Sequence, residues 1–184
     1  MNYYQKIFLT LLLPLVSSLS FAQDKVTYSA GVSSFASIQN ASYSDGNETE
    51  YTFGGLQFLA GANFNDNVQA QISFYNASEA DISELKISGM TIKANLGKGF
   101  QTKGLKAYGT IGLFNEKLEI SSSNYEEKVN GLEYGAVIGY NFDRISIDWG
   151  FTIRDSSDYE TDAVFGSSTD VIVTTGFLAL TGNF

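Results

Sequence analysis

From Leu132 to Arg154 the chain alternates apolar and polar side chains along two runs separated only by Asp143 and Arg144. Ile145, Ile147, Trp149, Phe151 and Ile153 fall on one face, and Ser146, Asp148, Gly150, Thr152 and Arg154 on the other, the period of two that a β-strand imposes. The first run repeats the pattern, with Leu132, Tyr134, Ala136, Ile138, Tyr140 and Phe142 against Glu133, Gly135, Val137, Gly139 and Asn141. A two-residue turn pairs Phe142 with Ile145, and counting outward then sets Glu133 opposite Arg154. The greasy face is continuous, while the other carries glycine, serine and a pair of opposite charges. That combination fits a closed sheet whose apolar side points away from its axis.

Residues 1–22 have the layout of a secretory leader: Lys6, an apolar run over residues 7–16, and the small-x-small site Ser20-Phe21-Ala22 before Gln23. About ten apolar residues interrupted by Pro14 are too few to cross ~30 Å of hydrocarbon as a helix, so cleavage rather than anchoring is expected. Residues 23–184 are then one barrel domain. The chain has 18 Gly, 14 Phe, 11 Tyr and 1 Pro, a composition that favours strands and turns. With no Cys at all, neither a disulfide nor a lipid-anchored cysteine is available. The balance is acidic, 20 Asp+Glu against 11 Lys+Arg, which excludes nucleic acid as a partner.

Eight strands are expected, over residues 26–37, 53–64, 68–75, 85–96, 105–118, 132–142, 145–154 and 171–184. In the fourth, Met90, Ile92, Ala94 and Leu96 oppose Thr91, Lys93 and Asn95, with the phase of residues 85–88 ambiguous. In the fifth, Leu105, Ala107, Ile111 and Leu113 oppose Lys106, Tyr108, Thr110 and Gly112. The eighth is phased to put Phe184 outward, with Leu178 and Leu180. Shorter connections (65–67, 97–104, 143–144) alternate with longer ones (38–52, 76–84, 119–130, 155–170), as an up-and-down meander with all its long loops on one rim requires. The predicted fold is therefore an all-β, eight-stranded antiparallel up-and-down transmembrane β-barrel.

A soluble carrier of the lipocalin kind shares this strand count but buries its apolar face and covers the other with Lys and Glu. Here the polar faces hold only scattered charges, chiefly Lys93, Lys106, Glu133, Asp148 and Arg154, which suits a narrow lumen. An Arg facing mid-bilayer lipid would cost ~2–4 kcal/mol, so a membrane barrel must turn this face inward. Glu133 with Arg154, and Asp148 with Lys106 or Lys93, form the expected lumen network. Asn63-Phe64, Asn141-Phe142 and Asn183-Phe184 end three descending strands at one rim. Outward Phe64, Phe142 and Phe184 would form a periplasmic aromatic girdle there.

With its leader, eight amphipathic strands, the segment Leu105-Lys106-Ala107-Tyr108-Gly109-Thr110-Ile111-Gly112 and terminal Phe184, the mature chain resembles the small outer-membrane β-barrels of Gram-negative bacteria. This is the opacity-protein and OmpA/OmpX-like group, often called porin-family proteins. The resemblance implies export into the periplasm, residence in the cell outer membrane among its lipid and lipopolysaccharide, and Phe184 as the C-terminal signal read by the barrel-assembly machinery. A monomer is expected, with a surface partner reached through the loops.

Catalysis is not expected. The chain has no His, whereas barrel enzymes of this membrane resemble one another in using one as base or shuttle. Ser121-Ser122-Ser123 and Ser167-Ser168 are then ordinary loop residues. Loop carboxylates (Asp45, Glu48, Glu50; Glu79, Asp81, Glu84; Asp155, Asp158, Glu160, Asp162) crowd the outer rim without EF-hand spacing. They are read as solvated charge, with no cofactor or metal assigned. The sequence thus points to a structural or surface-interaction barrel with a side-chain-filled lumen. A narrow pore or hydrophobic-solute conduit and a soluble periplasmic carrier are the alternatives.

Overall fold

The computed structural model describes residues 25–184 except Ser83, Asn124, Ser156, Asp158 and residues 162–169. The leader, Asp158, Asp162, Ser167 and Ser168 lie outside the described residues.

Eight strands follow one another: β1 (Thr27–Ser42), β2 (Glu48–Asn63), β3 (Val68–Glu79), β4 (Leu85–Lys98), β5 (Gly104–Ile120), β6 (Tyr125–Asn141), β7 (Ile145–Arg154) and β8 (Asp170–Asn183). Each pairs antiparallel with its neighbours, and β1 pairs with β8 to close the barrel. Closure leaves no unpaired edge, the condition for crossing hydrocarbon with strands. Among the described residues no helix is long and apolar enough to cross a membrane. The β6–β7 turn is the one expected: Phe142 N–H donates to Ile145 carbonyl oxygen at 2.7 Å, Asp143 takes φ 78°, and Glu133 faces Arg154.

Alternation sorts the faces. Trp149 is 55% exposed, and Val32, Phe58, Ile92, Ile138, Leu180 and Phe184 also look outward, while Ser33, Gln57, Thr91, Asn95, Thr152 and Asp148 are buried inside. An exterior of this kind needs hydrocarbon against it, since no soluble monomer exposes so broad an apolar belt. The eighth strand has the expected phase, with Leu178, Leu180 and Phe184 outward. The ambiguous start of β4 resolves with Leu85 and Ile87 pointing into the lumen.

The strands run further than the sequence contrast suggests. β1, β2, β5 and β6 are 16 or 17 residues long, so at ~3.3 Å per residue they outreach an apolar band ~25 Å tall even when tilted. The expected long loops shrink to residues 43–47, 80–84 and 121–124, and only 155–169 remains long. Glu48, Glu50 and Glu79, expected in loops, therefore lie on β2 and β3.

At the rim of the chain termini, Asp66 ties the β2–β3 turn to the β4–β5 turn. Its Oδ1 accepts from the backbone N–H of Gln101 (3.0 Å) and Thr102 (2.9 Å) and from Thr102 Oγ1 (2.9 Å). Partial burial pushes its carboxyl up, but the hydrogen bonds from Gln101 and Thr102 outweigh this and hold it below the ordinary value. A lowered folded-state pKa stabilises above the unfolded value of about 3.9 and is lost as pH falls through the folded one. The wild-type unfolding midpoint should accordingly drop as pH falls below about 4, and Asp66→Asn should flatten that part of the profile. Identical profiles would reject the linkage.

Candidate functional site: the charged lumen

Four strands bring the network together. Arg154, last residue of β7, is 3% exposed. Its Nη1 donates to Glu116 Oε2 at 2.6 Å and its Nε to Glu133 Oε2 at 3.2 Å. Lys93 Nζ from β4 sits 2.9 Å from Glu133 Oε1. Phe114, Tyr75 and Phe35 ring the guanidinium, with centroids 4.6, 5.1 and 5.9 Å away, so its faces meet π-systems while its edges meet carboxylates. Lower down, Lys106 Nζ lies 2.7 Å from Asp148 Oδ2, with the Tyr108 and Phe100 rings at 5.7 and 6.0 Å.

Three cations (Lys93, Lys106, Arg154) therefore meet three carboxylates (Glu116, Glu133, Asp148) inside the barrel. Burial of one unpaired ion would cost several kcal/mol, which this balance avoids. Of the two partners open to Asp148, the structure selects Lys106, and Lys93 goes to Glu133. Space for these side chains comes from glycine: a Cβ on Gly89 would lie 2.3 Å from the Tyr75 hydroxyl, and one on Gly139 2.1 Å from Asp148 Oδ1.

Sequence reasoning missed two members. Glu116 accepts from Arg154, from the hydroxyls of Tyr75 and Tyr159 at 2.8 Å each, and from Gln39 Nε2 at 3.4 Å. Following the inward phase of Lys106, Tyr108, Thr110 and Gly112 two steps further along β5 would have found it. Tyr159 is fully buried, carried into the barrel mouth by the 3-10 turn Tyr159–Thr161 of the β7–β8 connection. No periodicity marks a loop residue that enters a lumen. Tyr159→Phe removes one hydrogen bond to a carboxylate and should lower unfolding free energy by about 1.5–3 kcal/mol. An unchanged urea midpoint would count against this contact.

Both ends of the lumen are filled. Toward the loop rim, Phe35, Phe53, Tyr75, Leu85, Ile87 and Leu118 form one apolar cluster, and Phe114, Val129, Tyr159, Val171 and Val173 join a second. At the other end Phe100 folds in from the β4–β5 turn against Tyr108, centroids 4.9 Å apart. Below it runs an amide chain, with Asn95 Nδ2 donating to Gln69 Oε1 (2.6 Å) and Gln69 Nε2 to Asn63 Oδ1 (2.7 Å).

At that rim Asn63 and Asn141 point inward while Phe142 and Phe184 point out, Phe184 being 74% exposed; Phe64 is half-buried in the turn. Of the rim carboxylates, Glu79 accepts from the backbone N–H of Asp81 at 2.7 Å. Among the described residues no group of three or more His, Cys, Asp or Glu is placed to hold a metal ion. Ser121, Ser122 and Ser123 are exposed in the β5–β6 turn.

No curated protein sequence matches the chain. Among solved structures it resembles Neisserial surface protein A (16% identity, TM-score 0.54, covering 87% of this chain and 98% of that one). It also resembles the N-terminal β-barrel domain of Pseudomonas aeruginosa OprF (14% identity, TM-score 0.55, 84% and 99%). A third similar structure is the outer membrane protein OprG from the same organism (13% identity, TM-score 0.53, 86% and 95%). At such identities the likeness establishes the fold alone. Residues 8–169 match the family described as outer membrane protein beta-barrel domain, and the chain is therefore a member of that family, an eight-stranded barrel of the Gram-negative outer membrane.

Proposed function

We propose that the protein is a non-catalytic barrel with a structural or surface-interaction role, its loop rim facing the cell exterior and its lumen closed to solutes. The observation that carries this reading is the filled interior. The ion pairs of Arg154, Lys93 and Lys106 occupy its middle, and Tyr159 and Phe100 lie across its two ends. An eight-stranded interior is just wide enough for side chains to fill. A conduit would need these contacts to open together, and a soluble carrier would need the Trp149 and Ile147 face turned inward, the reverse of the arrangement found.

In this reading the leader directs export, the barrel-assembly machinery reads Phe184, and Phe64, Phe142 and Phe184 mark the periplasmic interface. The glutamates of the loop rim face lipopolysaccharide and any surface partner, and the barrel works as a monomer. Planar-bilayer recording on the refolded barrel tests it: silence at applied voltage is expected, and a reproducible ohmic conductance would overturn it in favour of a pore.

A further inference from the structure

The chain's basic residues sort by place. Lys93, Lys106 and Arg154 are in the lumen, while Lys25, Lys98, Lys103 and Arg144 lie at the rim of the termini. Among the described residues the loop-side half of the barrel has only Lys86, Lys117 and Lys128 left, and all three project outward from adjacent strands β4, β5 and β6. The rest of that half is acidic or neutral.

Register fixes their arrangement. Lys117 stands directly opposite Lys128, and Ser88 opposite Lys117. One outward row nearer the rim, Lys86 stands opposite Glu119 and Glu119 opposite Glu126. Like charges directly opposite on a sheet repel. Lys117 is drawn toward Glu119 and Glu126 (3.1 Å to the latter), Lys86 acts on the Glu119 it faces, and among the described residues no salt bridge engages Lys128.

The row below is Met90, Asn115 and Asn130, and the next is Ile92, Leu113 and Leu132, the start of the apolar exterior. Two outward steps of ~6.6 Å along tilted strands place the lysine row about 10 Å above the hydrocarbon edge, at headgroup height. Further down these strands and across to β7 lies an open, mainly apolar groove of about 400 Å³, lined by Ala94, Leu96, Gly109, Tyr134, Phe151 and Ile153. Outward Gly109 leaves the depression between Leu96 and Phe151.

We infer that Lys86, Lys117 and Lys128, with the groove beneath them, bind an amphiphile of the surrounding leaflet that carries phosphate on its head and acyl chains below. The phosphate relieves the Lys117–Lys128 repulsion and adds the counter-charge that Lys128 lacks, since Glu119 and Glu126 lie against Lys117 and Glu119 also faces Lys86. An acyl chain lies in the groove. This inference rests on the reading above that the loop rim faces the cell exterior.

The test uses the full barrel refolded in detergent, with diphosphorylated lipid A, its dephosphorylated form and inorganic phosphate as probes, and retention read by native mass spectrometry. Wild type should retain one diphosphorylated molecule. At about fivefold per lysine near a charged surface, Lys86→Gln, Lys117→Gln and Lys128→Gln together should weaken retention on the order of a hundredfold. Lys25→Gln, Lys98→Gln and Lys103→Gln together should leave it unchanged. Equal retention by both triple variants, equal retention of the dephosphorylated lipid, or displacement by millimolar inorganic phosphate would overturn the site.

Both triple variants must keep the heat-modifiable gel shift of a folded barrel, because all six lysines are outside the lumen. Orientation is read separately. Ser122→Cys, the sole thiol in the chain, should react with an impermeant maleimide on intact cells. Labelling only after lysis would overturn the orientation, and the proposal with it, whatever the retention result.

Discussion

Arg154→Met should lower the unfolding free energy of the barrel by about 3–5 kcal/mol, the cost of leaving a buried ion without its partner. Glu133 keeps Lys93 at 2.9 Å, so the uncompensated charge falls on Glu116, whose remaining donors are the hydroxyls of Tyr75 and Tyr159 and the amide of Gln39. Glu116→Gln added to Arg154→Met removes that charge at nearly constant volume. The double variant should therefore recover about 2 kcal/mol relative to Arg154→Met alone. Urea unfolding in lipid vesicles, followed by the emission of Trp149, reports both. A single variant within 1 kcal/mol of wild type, or strictly additive effects, would show that Arg154 and Glu116 are not coupled as their 2.6 Å contact implies.

The same residues show how far alternation carries. Within the apolar belt, β6 and β7 could be phased and registered from sequence because every outward position is Ile, Leu, Phe, Tyr, Trp or Ala and the two-residue turn leaves no slack. Glu133 opposite Arg154 follows from counting alone. Above the belt that logic fails for a physical reason. Where water bathes the outside, Asn40, Glu50, Glu126 and Lys128 project outward, so the apolar-out contrast fades although the hydrogen-bond ladder continues.

Inside the same upper zone the barrel holds an ordinary protein core. Leu85, Ile87, Val171 and Val173 turn inward there, which made the start of β4 and the whole of β8 hard to phase. The choice of Lys106 over Lys93 for Asp148, and the insertion of Tyr159, depend on strands far apart in sequence, where period-two reasoning has no purchase.

Gly139→Ala, at the centre of the charged lumen, should cost about 3 kcal/mol or more and deplete the folded, heat-modifiable species. The new carbon would sit 2.1 Å from Asp148 Oδ1 and 2.5 Å from the carbonyl oxygen of Ile147. The carboxylate can swing, but only by giving up Lys106 at 2.7 Å. The carbonyl belongs to β7, which pairs with β6 from Glu133 through Asn141, so moving it disturbs the ladder that also holds Glu133 against Arg154. Gly54→Ala makes the same chemical change on the outward face of β2, where a Cβ meets nothing within 4 Å. There the reduced freedom of the unfolded chain should make the substitution neutral or stabilising by up to about 1 kcal/mol. Comparing the two holds glycine's intrinsic flexibility constant and leaves only the space around the added methyl. Equal unfolding midpoints for the pair would mean that the lumen has room to spare at Asp148, and the close packing invoked for a closed barrel would fail at its centre.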